Sequence, residues 1–244
     1  MEKIRVLGVD FSNVTLESAA DRAMDMLASK SKGYIVTPNS EIVYECLKND
    51  ALNKAVNDAA LVLPDGIGVI YASNIYKTRL KGKVAGIDFA SEFCRRMKDT
   101  DYSLFLLGAK PGIAGKAAEE LLMKYPGLHI NGVRDGYFAN DDEAIKAVNE
   151  AAPDVVFVCL GAPKQELFMR ANAGRINATV LVGLGGSLDV FAGVVNRAPD
   201  IFIKLGLEWF YRLLKEPKRI GRMMRLPLFL TAAAKDSLKG GKRA

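Results

Sequence analysis

Short apolar runs recur at residues 4–9, 34–36, 61–63, 103–107, 128–133, 155–160 and 179–183, and those at 61–63 and 155–160 carry no polar position. A strand with one face in water alternates apolar and polar residues, whereas a strand covered on both faces does not. Runs of the second kind restrict a chain to folds with an internal sheet. Helical periodicity fills most of the intervals, at 16–28, 40–57, 89–97, 113–124 and 142–151. Strands alternating with helices imply right-handed crossovers and an open parallel sheet. The expected fold is α/β, a Rossmann-like, mostly parallel sheet with helices on both faces. With 244 residues, half of them hydrophobic, the chain has ample material for such a core.

Charge divides the chain. Residues 197–244 hold 12 Lys/Arg against 4 Asp/Glu, while 1–196 hold 22 against 24, so the formal +6 comes from a tail of net +8 on a body of −2. Phe202, Ile203, Leu205, Leu207, Trp209, Phe210, Leu213 and Leu214 lie among those cations. Basic and apolar residues together suit an anionic membrane surface better than nucleic acid. A catalytic body over 1–196 is therefore expected, followed by a helical, basic and apolar membrane-docking appendage over 197–244, punctuated by Pro199 and Pro217. The longest uncharged stretch, 176–188, has 13 residues and three glycines, short of the roughly 20 that span a bilayer. No apolar leader follows Met1, and Cys46, Cys94 and Cys159 form no C-x-x-C pair. The expected location is cytoplasmic, peripheral on the inner face of the cell membrane. Apolar positions such as Val43 and Leu47 on the second helix face either the body or another subunit of a homo-oligomer.

Ligands of open parallel sheets gather beyond the carboxyl ends of the strands. There the sequence places Thr37-Pro38-Asn39, Pro64-Asp65-Gly66, Gly108 to Gly112, Lys164-Gln165-Glu166 and Gly183-Leu184-Gly185-Gly186. Glycines let backbone approach a phosphate and helix N-termini supply free N–H groups, so Gly108, Gly112, Gly185 and Gly186 suit a nucleotide or sugar diphosphate. Asp65 is the candidate general base, with an Asx-turn or cap as its plainer role. Thr37 and Asn39 are ligand contacts or turn formers, and the polar cluster Lys164, Gln165 and Glu166 reads as ligand contact.

Two alternatives carry less weight. A soluble NAD(P) enzyme needs a glycine fingerprint after the first strand, where the chain reads Gly8-Val9-Asp10-Phe11. A lipid or nucleic-acid adaptor leaves the strand-end residues without use. The only D-x-D, Asp99-Thr100-Asp101, precedes a strand and so falls at the opposite edge, and the only histidine, His129, lies within a strand pattern. No metal or other cofactor is expected. Arginines then neutralise a diphosphate, and the tail offers Arg212, Arg219 and Arg222. Arg219, Arg222 and Arg225 share one helical face by spacing, a pattern that equally suits anionic lipid at about 1 kcal/mol per residue.

Thr37-Pro38-Asn39, Leu63-Pro64-Asp65-Gly66, Gly161-Ala162-Pro163-Lys164-Gln165-Glu166, Gly185-Gly186-Ser187-Leu188-Asp189, Arg197-Ala198-Pro199 and Leu207-Glu208-Trp209 through Arg212 occur in that order over nearly the whole chain. In this it resembles the WecG/TagA/CpsF glycosyltransferases. The resemblance implies a metal-independent, inverting hexosyltransferase moving N-acetylmannosamine from a UDP-sugar donor, UDP-ManNAc, to the 4-hydroxyl of a polyprenyl-diphosphate-linked GlcNAc in wall teichoic acid synthesis. Other members use UDP-ManNAcA, and no single residue here decides between them. It further implies Asp65 as base, Thr37 and Gln165 as polar contacts, glycines 108, 112, 185 and 186 lining the nucleotide site, and Arg212, Arg219 and Arg222 on the diphosphates.

Overall fold

The computed structural model describes residues 1–215, 221 and 225–240. In chain order the elements are β1 (Lys3–Val6), β2 (Val9–Ser12), α1 (Leu16–Ala28), β3 (Gly33–Val36), α2 (Ser40–Cys46), α3 (Asp50–Asn57), β4 (Leu61–Val62), α4 (Ile67–Ile75), α5 (Gly86–Met97) and β5 (Ser103–Gly108). There follow α6 (Ile113–Lys124), β6 (His129–Arg134), α7 (Asp141–Ala151), β7 (Val155–Cys159), α8 (Lys164–Asn172), β8 (Val180–Gly183), α9 (Ser187–Phe191), α10 (Asp200–Lys204), α11 (Glu208–Lys215) and α12 (Arg225–Leu238). Six strands form one parallel sheet in the order β4-β3-β8-β7-β5-β6.

Alternate strand residues divide between two cores, which is why the strands read as uninterrupted apolar runs. Ile35, Leu104, Leu106, Phe157 and Val182 pack with α1, α5 and α6 on one face. Val36, Phe105, Leu107, Val156, Val158 and Leu181 pack with α2, α3, α7 and α8 on the other. Local chemistry sets the helix starts. Thr15 and Ser18 form a capping box on α1, and Asn140 caps α7 ahead of Asp141, Asp142 and Glu143, whose charges suit a helix N-terminus.

Three segments depart from the sequence expectation. The run at 4–9 is not one strand of the sheet but an antiparallel hairpin, β1 with β2, reversing at Leu7 and Gly8, whose φ of 47° and 80° give a turn that continues the strand twist. The pattern at 40–57 is two helices, because the Asn49 side chain accepts from Leu52 N and starts α3 afresh. Helix α4 was not anticipated, since its composition is apolar almost throughout and shows no amphipathic period. Of the two positions singled out on α2 and its end, Val43 is fully buried in the core and Leu47 is exposed.

The basic tail divides physically. In α12, Phe229 and Ala233 have no exposure and belong to the core beneath α4 and α2. Leu226 fits over Gly68, where an added Cβ would lie 2.6 Å from Leu226 Cδ1. Arg225 pairs with Glu41 at 3.1 Å and Glu45 at 3.6 Å, and Tyr76 donates to Asp236 at 2.7 Å. The last helix thus shares the core of the 1–196 body. Helices α10 and α11 instead leave Ile201, Leu205, Phe210 and Leu214 exposed. They are tied down by ion pairs, Lys83 with Glu208 at 2.5 Å and Arg197 with Asp88 at 2.6 Å. Among the described residues no helix is long and apolar enough to cross a membrane.

Truncating Phe229 to Ala should destabilise the whole protein by about 3–5 kcal/mol, the cost of a large side chain removed from a packed core. Urea unfolding followed by circular dichroism measures it; a change below about 1 kcal/mol would show that α12 is not part of the cooperative unit.

Candidate active site

Strands β4, β3 and β8 are neighbours, so the residues just beyond their carboxyl ends meet although they lie far apart in sequence. Thr37, after β3, is buried and its Oγ1 donates to Gly183 O at the end of β8, 2.9 Å away. Asp65, after β4, accepts through Oδ2 from Gly86 N at 3.3 Å, and its own N–H donates to Pro38 O at 3.4 Å. Gly86 opens α5, which has no side-chain cap of its own, so the Asp65 carboxylate sits against the positive end of that helix. An added Cβ at Gly86 would stand 3.1 Å from Thr37 Oγ1. Asp65 and Thr37 therefore both adjoin Gly86, a residue that must stay small.

Gln165 joins the group from α8. Its Oε1 accepts from Gly185 N at 2.9 Å and its Nε2 donates to Glu166 Oε1 at 2.9 Å. Gly183 makes room for that amide, because a Cβ there would come within 3.1 Å of Gln165 Nε2. Glu166 has no exposure, its Oε2 has no hydrogen-bond partner, and burial raises its pKa above the ordinary carboxylate value. Its charge helps push the nearby Cys46 thiol up to about 12, although burial of that thiol is the larger cause.

The remaining predicted residues take distinct places. Asn39 caps α2, accepting from Glu41 N at 3.0 Å and Ile42 N at 3.1 Å. Gly108 is required by the sheet itself: its φ is 129° and a Cβ would lie 2.3 Å from Cys159 O. Gly112 and Gly185, with φ of 83° and 56°, border open space. Gly112 precedes the N–H groups of α6, which no side chain caps, and Gly186 precedes α9. Lys164 donates to Gly136 O at 3.3 Å and lies over the Phe138 ring. Arg212 lies on α11, but its side chain falls outside the described residues, as do Arg219 and Arg222 altogether.

Three other residues complete the picture of the two sheet edges. Asp99 donates its N–H to Gly127 O in the turn before β5, and exposed His129 opens β6, both at the edge remote from Thr37. Among the described residues no three His, Cys, Asp or Glu side chains are grouped to hold a metal ion. Exposed Tyr137 stands at the ligand edge after β6, its loop pinned by Gly136 N to Ala109 O at 2.9 Å. Gly86 and Tyr137 were not picked out from the sequence. Gly86 was hidden because the apolar period of α5 starts only at Phe89; at Gly183, read from the sequence as part of a glycine loop, an added Cβ would meet Met169 Cε at 2.7 Å and Gln165 Nε2 at 3.1 Å.

The family model for the "Glycosyl transferase WecG/TagA/CpsF family" matches residues 4–243. The chain belongs to this family. It is 35% identical over 235 residues to an N-acetylglucosaminyldiphosphoundecaprenol N-acetyl-beta-D-mannosaminyltransferase of Bacillus spizizenii, covering 96% of this chain and 91% of that one. It is 36% identical over 240 residues to a Staphylococcus aureus protein of the same name, covering 97% and 94%. The hydrogen-bonded cluster at β4, β3 and β8 is accordingly the candidate active site of a glycosyltransferase.

The raised pKa of Glu166 fixes the sign of a pH effect. Its protonated form is the one the fold favours, so its contribution to stability is full in acid and is lost as pH rises above the ordinary carboxylate range. Urea titrations of Glu166→Gln should show a smaller loss of stability than the parent as pH rises above the ordinary carboxylate range. Equal losses would show that Glu166 binds no extra proton in the folded state.

Proposed function

We propose that this chain transfers N-acetylmannosamine, with inversion, from UDP-ManNAc to the 4-hydroxyl of GlcNAc on undecaprenyl diphosphate, the linkage-unit step of wall teichoic acid synthesis. The names of the two relatives support the acceptor and the transferred sugar. The observation that carries the chemistry is the convergence of Thr37, Asp65 and Gln165 on one hydrogen-bonded cluster at the ligand edge.

In this reading the Asp65 carboxylate takes the proton from the acceptor 4-hydroxyl as that oxygen bonds to the anomeric carbon. The bond from that carbon to the β-phosphate oxygen breaks, and its electron pair leaves with UDP. Thr37 and Gln165 order the polar surroundings of the reacting sugars. The uncapped N-terminus of α6 beyond Gly112, with the loop at Gly185 and Gly186, receives the nucleotide diphosphate. Arg212, Arg219 and Arg222 offset the charge that develops on the leaving group, so that no metal ion is needed. The exposed apolar residues of α10 and α11, set in a basic tail, dock on the anionic inner face of the membrane that holds the lipid acceptor.

Asp65→Asn should lower kcat/KM by at least about 10²-fold while leaving the circular dichroism spectrum unchanged. Near-normal turnover would remove Asp65 from the role of base. Transfer should persist in EDTA, and loss that Mn²⁺ restores would overturn the metal-independent reading. Of UDP-ManNAc, UDP-ManNAcA and UDP-GlcNAc offered with one lipid-linked GlcNAc acceptor, the first should be consumed fastest; preference for UDP-ManNAcA would reassign the donor and leave the site chemistry standing.

A further inference from the structure

Glu166 presents a puzzle of packing. Nothing of it reaches solvent, one carboxyl oxygen has no hydrogen-bond partner, and the other is held by the Gln165 amide. A methionine would fill similar volume on this helix face without desolvating a carboxyl. The bond it does make explains its presence.

The Gly185 backbone N–H can only donate, so the Gln165 atom 2.9 Å from it is the amide oxygen. That leaves the amide NH₂ pointing at Glu166 Oε1, also 2.9 Å away. Turned over, the same amide would set its NH₂ against the Gly185 N–H, donor against donor. Gly183 cannot correct the orientation, since it offers the amide only space. Among the described hydrogen bonds, those to Gly185 and Glu166 are what distinguish the two ends of the amide.

We propose that Glu166 is a positioning residue for glycosyl transfer: by accepting from Gln165 Nε2 it holds the amide oxygen on Gly185 N–H and so sets the strand-end loop from 183 to 186. This rests on the reading that Gln165 and that loop belong to the reacting centre. The loop is gripped from both sides, by Thr37 on Gly183 O and by Gln165 on Gly185 N. Gly185 has a φ of 56° and open space beside it, so packing of its own does not fix it. A misplacement of about 1 Å at a reacting centre can cost about 10²-fold in rate.

Four variants of the full chain test this: Glu166→Met, Glu166→Gln, Gln165→Met and the double Gln165→Met/Glu166→Met. Glu166→Met should lower kcat by about tenfold or more, with a smaller change in KM and a melting temperature equal to or above the parent's. Glu166→Gln, which keeps an acceptor oxygen, should recover most of that loss. The double variant should be no slower than Gln165→Met alone, because the two residues act through one amide. Losses that multiply would overturn the proposal while leaving Gln165 at the reacting centre. Normal turnover by Gln165→Met would instead overturn the reading of Gln165, and the proposal with it. Hydrogen exchange at the Gly185 amide gives a result independent of turnover. Exchange there should be faster than in the parent in Glu166→Met and close to the parent's in Glu166→Gln; equal protection in all three proteins would overturn the proposal whatever the activities.

Discussion

The hydrogen bond from Thr37 Oγ1 to Gly183 O joins β3 to β8 just past the end of their backbone ladder. The two strands are separated by most of the sequence, so this contact depends on the crossovers that lay β8 beside β3. Once made, it locates the other members of the cluster. Gly86 packs against Thr37 and gives its N–H to Asp65, while Gly183 leaves space for the Gln165 amide. A parallel sheet ends all its strands at one edge, and here that regularity brings the chain after β3, β4 and β8 together with the first turns of α5 and α8.

Much of the architecture was legible because it follows from periodicity. Helices α1 and α6 begin and end where the apolar spacing places them, and the double-sided apolar runs marked the parallel strands. The misreadings have local causes. Hydropathy cannot see the reversal at Leu7 and Gly8, since both arms of the hairpin are apolar. Nor does it register Asn49, a polar residue that restarts a helix within one continuous apolar pattern.

The site was legible to a different degree. Thr37, Asp65 and Gln165 stood out as polar residues directly after apolar strands, but sequence alone does not give the strand order that makes them neighbours. Asn39 and Gly108 show the converse: each has a structural duty, one capping α2 and the other admitting the backbone of β7, that a strand-end position does not distinguish from ligand contact. Glu166 is the sharpest case. Its sequence neighbourhood suggested a side chain in the cleft, whereas the helical turn of α8 carries it into the interior, where it acts on its neighbour.

The burial of Phe229 and Ala233 changes what kind of object the basic tail is. Because α12 returns to the core, α10 and α11 belong to a segment moored to the body at both ends rather than to a streamer with one free end. Their exposed Ile201, Leu205, Phe210 and Leu214 are carried on helices already ordered by the pairs at Glu208 and Arg197. A flexible extension forfeits conformational freedom when it meets a surface, and that loss weakens its attachment. Here most of the ordering is completed when the protein folds, so an apolar surface that receives these side chains gains contact with little further chain entropy to lose.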